Sequence, residues 1–308
     1  MPIRGFDDLF RAADARATRP VVAAAGGADP TVIGALRIAA DRGWASPLLV
    51  GPGAEIRATA EAAGIGLDGL AILDAAAGAM AAAAVDAVRS GRAALLMKGR
   101  IGTPTLMHAV LDPETGIRRE GRVVGQVVLV EIPGHGRRFL LTDTGIGVRP
   151  KLASKIDLMR GAVAIARSLG EDRPRVALMA ATEAANAAMP ETLHAAELQR
   201  RNEAGEFPEC RVQGPLSFDL AYAPDAADKK RVVGPVVGAA DVMIFPDLLS
   251  ANLTVKAIMY TSECRFGGIL MGTTAPVVFM SRSDTVDTRL RSLALALAAG
   301  GASGTSGA

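Results

Sequence analysis

The chain has 308 residues, half of them hydrophobic, and a formal net charge of +2. This length favours two domains, the hydrophobic content excludes a disordered chain, and the balanced charge argues against a nucleic-acid binder driven by bulk charge. Cys210 and Cys264 lie far apart, as do the three histidines, so neither a disulfide nor a metal site is predicted. The first twenty residues carry acids and no apolar run reaches ~20 residues, which predicts a cytoplasmic protein without a signal peptide.

Short apolar runs typical of buried strands alternate with helical patterns along the chain. The predicted strands cover residues 20–25, 47–50, 93–97, 127–132, 139–142, 175–179, 241–245 and 276–280. The predicted helices cover residues 6–17, 30–42, 55–63, 75–89, 150–169, 191–204 and 285–298. Several strands are apolar at consecutive positions, which favours parallel strands buried on both faces. The alternation predicts an α/β fold with right-handed crossovers.

Helix boundaries are marked by specific residue types. Asp29 followed by Pro30 is typical of a helix start. Glycine suits the left-handed backbone conformation that often ends a helix. Five glycines follow predicted helices in this way: Gly43, Gly64, Gly91, Gly170 and Gly205.

The segment from Ser281 to Asp284 is the first candidate for chemistry. It follows the last predicted strand and leads directly into a helix, at the edge of an α/β sheet where ligands bind. Hydroxyls, the Arg282 guanidinium and a helix N-terminus together suit an anion such as phosphate. The alternative is that Ser283 or Asp284 merely caps the helix and Arg282 is a solvated surface charge.

Further polar residues follow other predicted strands. Lys98 precedes two glycines and Thr103, Asp143 precedes a glycine-rich stretch, and Asp247 follows a strand that ends in Phe-Pro. Each could present a charge or backbone amides to a ligand. Each could equally be an ordinary turn, a capped helix start or, at Asp143, a hinge between domains.

Eight short motifs occur in a fixed order: Leu-Met-Lys-Gly, Gly-Ile-Arg, Leu-Thr-Asp, Pro-x-Leu-x-x-Lys, Pro-Arg-Val-Ala-Leu, Gly-Pro-Leu-x-x-Asp, Ala-Asp-Val-Met-Ile-Phe-Pro-Asp and Ser-Arg-Ser-Asp. This order resembles the phosphate acetyltransferase/phosphate butyryltransferase family, closest to the butyryltransferase branch, from about residue 93 to 297. The resemblance implies two α/β domains around a cleft, similar to isocitrate/isopropylmalate dehydrogenases. Domain I would comprise residues 1–140 plus 271–308, and domain II residues 141–270.

The resemblance also implies a reaction and its residues. Acyl-CoA and phosphate would give acyl phosphate and coenzyme A. Coenzyme A would thus be consumed or produced as a substrate of the reversible reaction, and no separate cofactor is expected. Ser281 and Arg282 match the pair that would hold the phosphoryl group, and Asp284, with Asp287 in reserve, matches the base for the thiol. The implied substrate-binding residues are Lys98, Thr103, Arg118, Asp143, Lys155, Asp247 and Asn252. Because family members are usually dimers, the resemblance implies a homodimer. Because one form of the family is fused to enoyl-CoA hydratase domains, it also suggests association with an enoyl-CoA hydratase-type protein.

The sequence departs from the family pattern at segments that should line the cleft. At five positions the family carries polar side chains that this sequence lacks or replaces by others, namely Gly125, Gln126, Gly147, Gly161 and Met107. At the position of Met107 the acetyltransferase branch carries an arginine, and Arg118 could supply that charge instead. These departures motivate an alternative, a divergent member that binds coenzyme A or acyl phosphate with altered or lost activity. An oxidoreductase on the same architecture is disfavoured because no dinucleotide-binding fingerprint follows a strand.

Overall fold

The computed structural model describes residues 3–279 and 284–301. The chain forms two compact units. The terminal unit comprises Gly5–Arg122 and Gly267–Ala308, and the central unit comprises Met1–Arg4 and Val123–Phe266. The predicted domains, residues 1–140 plus 271–308 and residues 141–270, stay a prediction.

The elements follow one another in alternation. The helices are α1 (Phe6–Asp14), α2 (Pro30–Asp41), α3 (Gly53–Ala62), α4 (Met80–Arg89), α5 (Thr103–Leu111), α6 (Leu152–Ser168), α7 (Pro190–Glu203), α8 (Phe218–Tyr222), α9 (Pro224–Lys230), α10 (Leu248–Thr261) and α11 (Val286–Gly301). The strands are β1 (Val21–Ala25), β2 (Ser46–Gly51), β3 (Ala71–Asp74), β4 (Leu95–Lys98), β5 (Gly125–Ile132), β6 (Arg137–Thr142), β7 (Arg175–Met179), β8 (Arg211–Leu216), β9 (Val242–Ile244), β10 (Arg265–Met271) and β11 (Val277–Val278).

In the terminal unit the strand order is β3-β2-β1-β4-β11-β10. All neighbours are parallel except β10 and β11. Parallel strands end at one edge of a sheet, and the register pairs Ala25 with Lys98 and Met97 with Val278. The carboxyl ends of β1, β4 and β11 therefore lie side by side, at the edge where ligands bind in such sheets.

In the central unit the strand order is β5-β6-β9-β7-β8. The pairs β6–β9, β7–β9 and β7–β8 are parallel, whereas β5 and β6 are antiparallel. A 3₁₀ turn at Pro133–His135 joins β5 to β6, and so short a connection permits only an antiparallel pair. The consecutive apolar residues of β5 thus reflect burial on both faces and not parallel pairing. Thr142, Ile244 and Met179 end neighbouring strands at one edge.

The structure confirms the α/β prediction and most predicted elements. Asp29 caps α2, because its Oδ1 accepts from the amides of Thr31 and Val32 at 2.8 and 3.2 Å. The predicted helix-ending glycines all have positive φ: Gly43, Gly64, Gly91, Gly170 and Gly205. The elements β3, β8, β10, α5, α8, α9 and α10 were not among the predicted strands and helices. None of the helices in the described residues is long and apolar enough to cross a membrane.

The two cysteines differ in exposure. Burial raises the pKa of Cys210 to about 12, whereas Cys264 is half-buried. Because the thiolate is the reactive form, we expect one thiol of the native protein to react readily with an aromatic disulfide reagent, and both to react in denaturant. The released thiolate is measured by absorbance at mildly alkaline pH. Equal reaction of both thiols in the native protein would contradict the burial of Cys210.

Candidate active site

Lys98 ends β4 in the terminal unit, and its side chain is 2% exposed. The next two residues cross the turn that follows β1: Gly99 donates to Ala25 O and Arg100 donates to Gly26 O, both at 2.8 Å. A Cβ built at Gly99 would lie 2.3 Å from Gly26 O. The position therefore requires glycine, and the turns after β1 and β4 pack directly against each other.

Arg289 on α11 ties three elements of this edge together. It is 1% exposed, its Nη1 donates to Lys98 O at 3.0 Å, and its Nε donates to Thr31 Oγ1 at 2.9 Å. Its Nη2 lies 3.9 Å from Asp29 Oδ2. Burial lowers the pKa of Arg289, although the charges of Asp29 and Asp284 oppose that shift. Arg289 therefore holds the first turn of α11 against the end of β4 and the start of α2.

The residues predicted to be catalytic lie between β11 and the first turn of α11. Ser281 and Arg282 fall outside the described residues. Asp284 is half-buried, and its charge acts on Arg289. Asp287, the reserve candidate, is exposed and forms a loose ion pair with Arg291, with an N···O distance of 3.9 Å.

Two predicted substrate-binding residues of the terminal unit are exposed to solvent. Thr103 is the first residue of α5, whose N-cap is Gly102, so it is not the helix cap. Arg118 lies in an extended segment that forms an isolated antiparallel bridge with Thr273. Neither residue shares the deep burial of Lys98.

Asp143 organises the loop that follows β6 in the central unit. Its side chain is 3% exposed. Oδ1 accepts from the amides of Gln126, Gly145 and Ile146, each at 3.0 Å, and Oδ2 accepts from the amide of Gly147 at 2.7 Å. The carboxylate thus satisfies four backbone donors, and the predicted role in substrate binding would have to act through the loop that it shapes.

The start of α10 packs against the same loop. Asp247 caps α10 by accepting from Ser250 N at 2.8 Å, and Asn252 Nδ2 donates to Thr144 O at 3.1 Å. The amide of Leu248 donates to Val148 O at 3.1 Å. The structure therefore brings together Asp143, Asp247 and Asn252 around one loop.

Lys155 on α6 is 6% exposed, and its Nζ lies 3.3 Å from Nδ1 of His194 on α7. Burial lowers the pKa of Lys155, and attraction by Glu191 and Asp247 opposes the shift. The four substrate-binding candidates of the central unit thus share one region at the carboxyl ends of β6 and β9. His194 and Arg289 were not predicted, although Arg289 lies four residues before Leu293 on the apolar face of its helix.

The departures from the family pattern have local explanations in part. A Cβ at Gly147 would lie 3.0 Å from Asp143 Oδ2, so glycine leaves room for the carboxylate. A Cβ at Gly145 would lie 2.0 Å from Gln126 Oε1, so Gln126 occupies space beside the same loop. Gly125 and Met107 are buried and Gly161 is half-buried. The structure offers no reason for these last three residues.

Comparison with known proteins supplies the family. Residues 79–297, more than half of the chain, match the family described as phosphate acetyl/butaryl transferase. The phosphate butyryltransferase of Clostridium acetobutylicum is 35% identical over 295 residues, which cover 96% of this chain and 97% of that protein. The chain belongs to this family. The predicted family is therefore confirmed, and with it the enzyme class, a phosphate acyltransferase.

Other members show the same extent of similarity. The phosphate acetyltransferase of Rhizobium meliloti is 36% identical to this chain over 292 residues, which cover 94% of this chain and 92% of that protein. The crystal structure of a branched-chain phosphotransacylase from Enterococcus faecalis superposes with a TM-score of 0.81 at 30% identity. It covers 91% of this chain and 99% of the other. The fold of the phosphotransacylases therefore extends over nearly the whole chain.

Proposed function

We propose that the protein exchanges coenzyme A and phosphate on a short acyl group, converting acyl-CoA and phosphate into acyl phosphate and coenzyme A. The observation that carries this proposal is the 35% identity to a phosphate butyryltransferase over 96% of the chain. The Ser281-Arg282 pair at the expected position adds to it. Coenzyme A is a substrate in this scheme, and no further cofactor takes part.

The proposed chemistry uses three residues that precede α11. A phosphate oxygen attacks the acyl carbon, the carbon–sulfur bond breaks, and the sulfur leaves as a thiolate that takes up a proton. Ser281 and Arg282 hold the phosphoryl group and stabilise the oxyanion that forms on the acyl oxygen. In the reverse direction Asp284 removes the thiol proton. Its half-buried position close to Arg289 favours it over the exposed Asp287.

The proposed substrate-binding residues are found in each unit. Lys98 ends β4, and Lys155 on α6 lies beside the ends of β7 and β9. Both are buried cations near the carboxyl ends of strands, which supports contacts with anionic oxygens. Asp143, Asp247 and Asn252 shape the loop after β6, and the exposed Thr103 and Arg118 would contact the outer parts of a substrate. Positioning of two bound reactants would supply most of the rate enhancement.

Several further properties are proposed from the resemblance. The fold would be that of the isocitrate/isopropylmalate dehydrogenases, with domains at 1–140 plus 271–308 and 141–270. The protein would act in the cytoplasm as a homodimer. Association with an enoyl-CoA hydratase-type protein would connect it to acyl-CoA metabolism.

The activity is tested with the purified full chain. We expect acetyl-, propionyl- or butyryl-CoA to lose its ultraviolet thioester absorbance at a rate that depends on added phosphate. Sulfate, an anion of similar shape, serves as the control and should not replace phosphate. Absence of phosphate dependence with all three thioesters would overturn the proposal.

The second candidate is a divergent member that binds coenzyme A or acyl phosphate without this turnover. The presence of Gln126 on β5 and Gly147 in the loop after β6 favours it, because both contact the Asp143 carboxylate and both depart from the polar residues of the family pattern. Calorimetric binding of coenzyme A together with no phosphate-dependent turnover would select this candidate.

A further inference from the structure

A lysine and a histidine form a pair whose protonation states are restricted by geometry. The Nζ of Lys155 and the Nδ1 of His194 lie 3.3 Å apart. A lysine ammonium can donate hydrogen bonds but cannot accept them, so Nδ1 must be the acceptor. The imidazole is therefore neutral, with its proton on Nε2.

The pair lies at the ligand edge of the central unit. Met179 and Ile244, the last residues of β7 and β9, line the same small cavity as Lys155 and His194. Thr142 ends β6 and pairs with Ile244. Side chains alternate along a strand, and Leu141 belongs to the apolar core on the opposite face. The Thr142 side chain therefore projects from the face that carries Lys155.

Two hydroxyls at this edge point to a polar ligand. Thr142 and Thr144 are buried, and within the part of the chain that the structure describes their Oγ1 atoms have no hydrogen-bond partner. Buried hydroxyls are normally satisfied, and an exception calls for an explanation. Both hydroxyls lie at or just after the carboxyl end of β6, the edge of the central unit beside which Lys155 also lies, and each can donate to an anionic oxygen.

The charges around the pair favour a neutral histidine. Among the elements packed around it, α7 contributes Glu191, the start of α10 contributes Asp247, and β7 and β9 contribute only apolar side chains. Burial, and after it the Lys155 charge, lower the pKa of His194, while Glu191 opposes them. Protonation of the imidazole would remove the acceptor and place a second cation beside the ammonium.

We propose that His194 is a positioning residue that holds the Lys155 ammonium toward an anionic oxygen of the substrate and releases it when the imidazole is protonated. The proposal rests on the proposed function, because it takes Lys155 as a substrate contact. It predicts that kcat/KM falls at acid pH, below the ordinary histidine pKa of 6.5, since only the neutral ring accepts from Lys155.

Two substitutions at one position test the role in the intact enzyme. In His194→Asn the amide oxygen takes the place of Nδ1 and does not titrate, whereas His194→Leu keeps the volume and removes the acceptor. We expect KM to rise about 10- to 100-fold in H194L, as for the loss of a hydrogen bond to a charged group, with kcat much less affected. We expect H194N to retain the KM of the natural enzyme and to lose the fall in kcat/KM between about pH 5 and pH 6.5. An H194N enzyme that is impaired as much as H194L, while both melt like the natural protein, would overturn the proposal.

A measurement independent of turnover keeps the two proposals separable. The chain has three histidines, so the ring-proton NMR signal that disappears in H194N identifies His194. We expect Lys155→Met to raise the titration midpoint of that signal, because it removes a neighbouring cation. An unchanged midpoint would contradict the pairing. If no acyl-CoA supports phosphate-dependent turnover, the proposed function fails. The positioning role is then decided by calorimetric binding of acetyl phosphate, which H194L should weaken and H194N should preserve.

Discussion

Replacing Arg282 by glutamine is expected to lower kcat/KM for phosphate-dependent acyl transfer by about 10²–10³-fold, the usual loss when one preorganised donor to a developing charge is removed. Glutamine keeps a polar side chain of moderate length but lacks the charge and the two-pronged geometry with which a guanidinium binds phosphate oxygens. The rate is measured with the acyl-CoA that the natural protein uses best, at saturating and at limiting phosphate.

Arg291→Gln is the matched control. Arg291 lies on α11, and its only described ion pair is the loose one with Asp287, at 3.9 Å. We expect that variant to retain the natural rate. Fluorescence of the single tryptophan, Trp44, which is fully buried in the terminal unit, reports whether either variant has lost its fold. A folded R282Q enzyme whose loss is less than about tenfold, or about 1.4 kcal/mol, would contradict the phosphate-holding role.

Replacing Asp143 by alanine is expected to reduce the free energy of unfolding of the central unit by about 3–5 kcal/mol. The buried carboxylate accepts four backbone hydrogen bonds, and its removal leaves three amides of its own loop and the amide of Gln126 on β5 without their acceptor. The same loop carries Thr144 and contacts α10, so loss of activity should accompany the loss of stability. Denaturant unfolding followed by far-ultraviolet circular dichroism measures the change.

Asp143→Asn separates shape from charge. Its amide oxygen can replace Oδ1, but its NH₂ group would face the amide of Gly147, which now donates to Oδ2 at 2.7 Å. We therefore expect a destabilisation smaller than that of D143A. Asp112→Ala is the control, because Asp112 accepts from the amides of Glu114 and Thr115 in the same manner but is only half-buried. Equal destabilisation by D143A and D112A would contradict the importance of burial.

The sequence predicts those elements that have a clear local pattern. The strands β1, β4 and β7 are short runs that are apolar except for one charged residue at an end of β4 and of β7, and glycines mark the ends of several helices. The strand β8 contains Gly214 and Pro215, and β10 contains Gly267 and Gly268, residues that normally indicate turns. These strands form because tertiary pairing outweighs weak local propensity. The four-residue edge strand β3 is too short to produce a clear pattern.

The candidate site was predictable in position but not in its internal contacts. Lys98, Asp143 and Asp247 follow strands, and the rule that ligands bind at the carboxyl ends of strands is sufficient to select them. The sequence could not reveal that Asp143 also accepts from the amide of Gln126, because this bond depends on the backbone path of β5, 17 residues earlier in the chain. It could not reveal Arg289 either, since its partners Thr31 and Lys98 are 258 and 191 residues away in the chain.

The anchoring of α11 by Arg289 has a thermodynamic consequence for the segment between β11 and α11. Pairing of Val277 and Val278 with β4 fixes the chain before this segment, and the Arg289 bond to Lys98 O fixes the chain after it on the same strand. The entropy of bringing the two ends of this segment together is therefore lost when the protein folds and not when an anion binds. Substitutions in the buried half of α11 should then change phosphate affinity through preorganisation, without any contact to the phosphate itself.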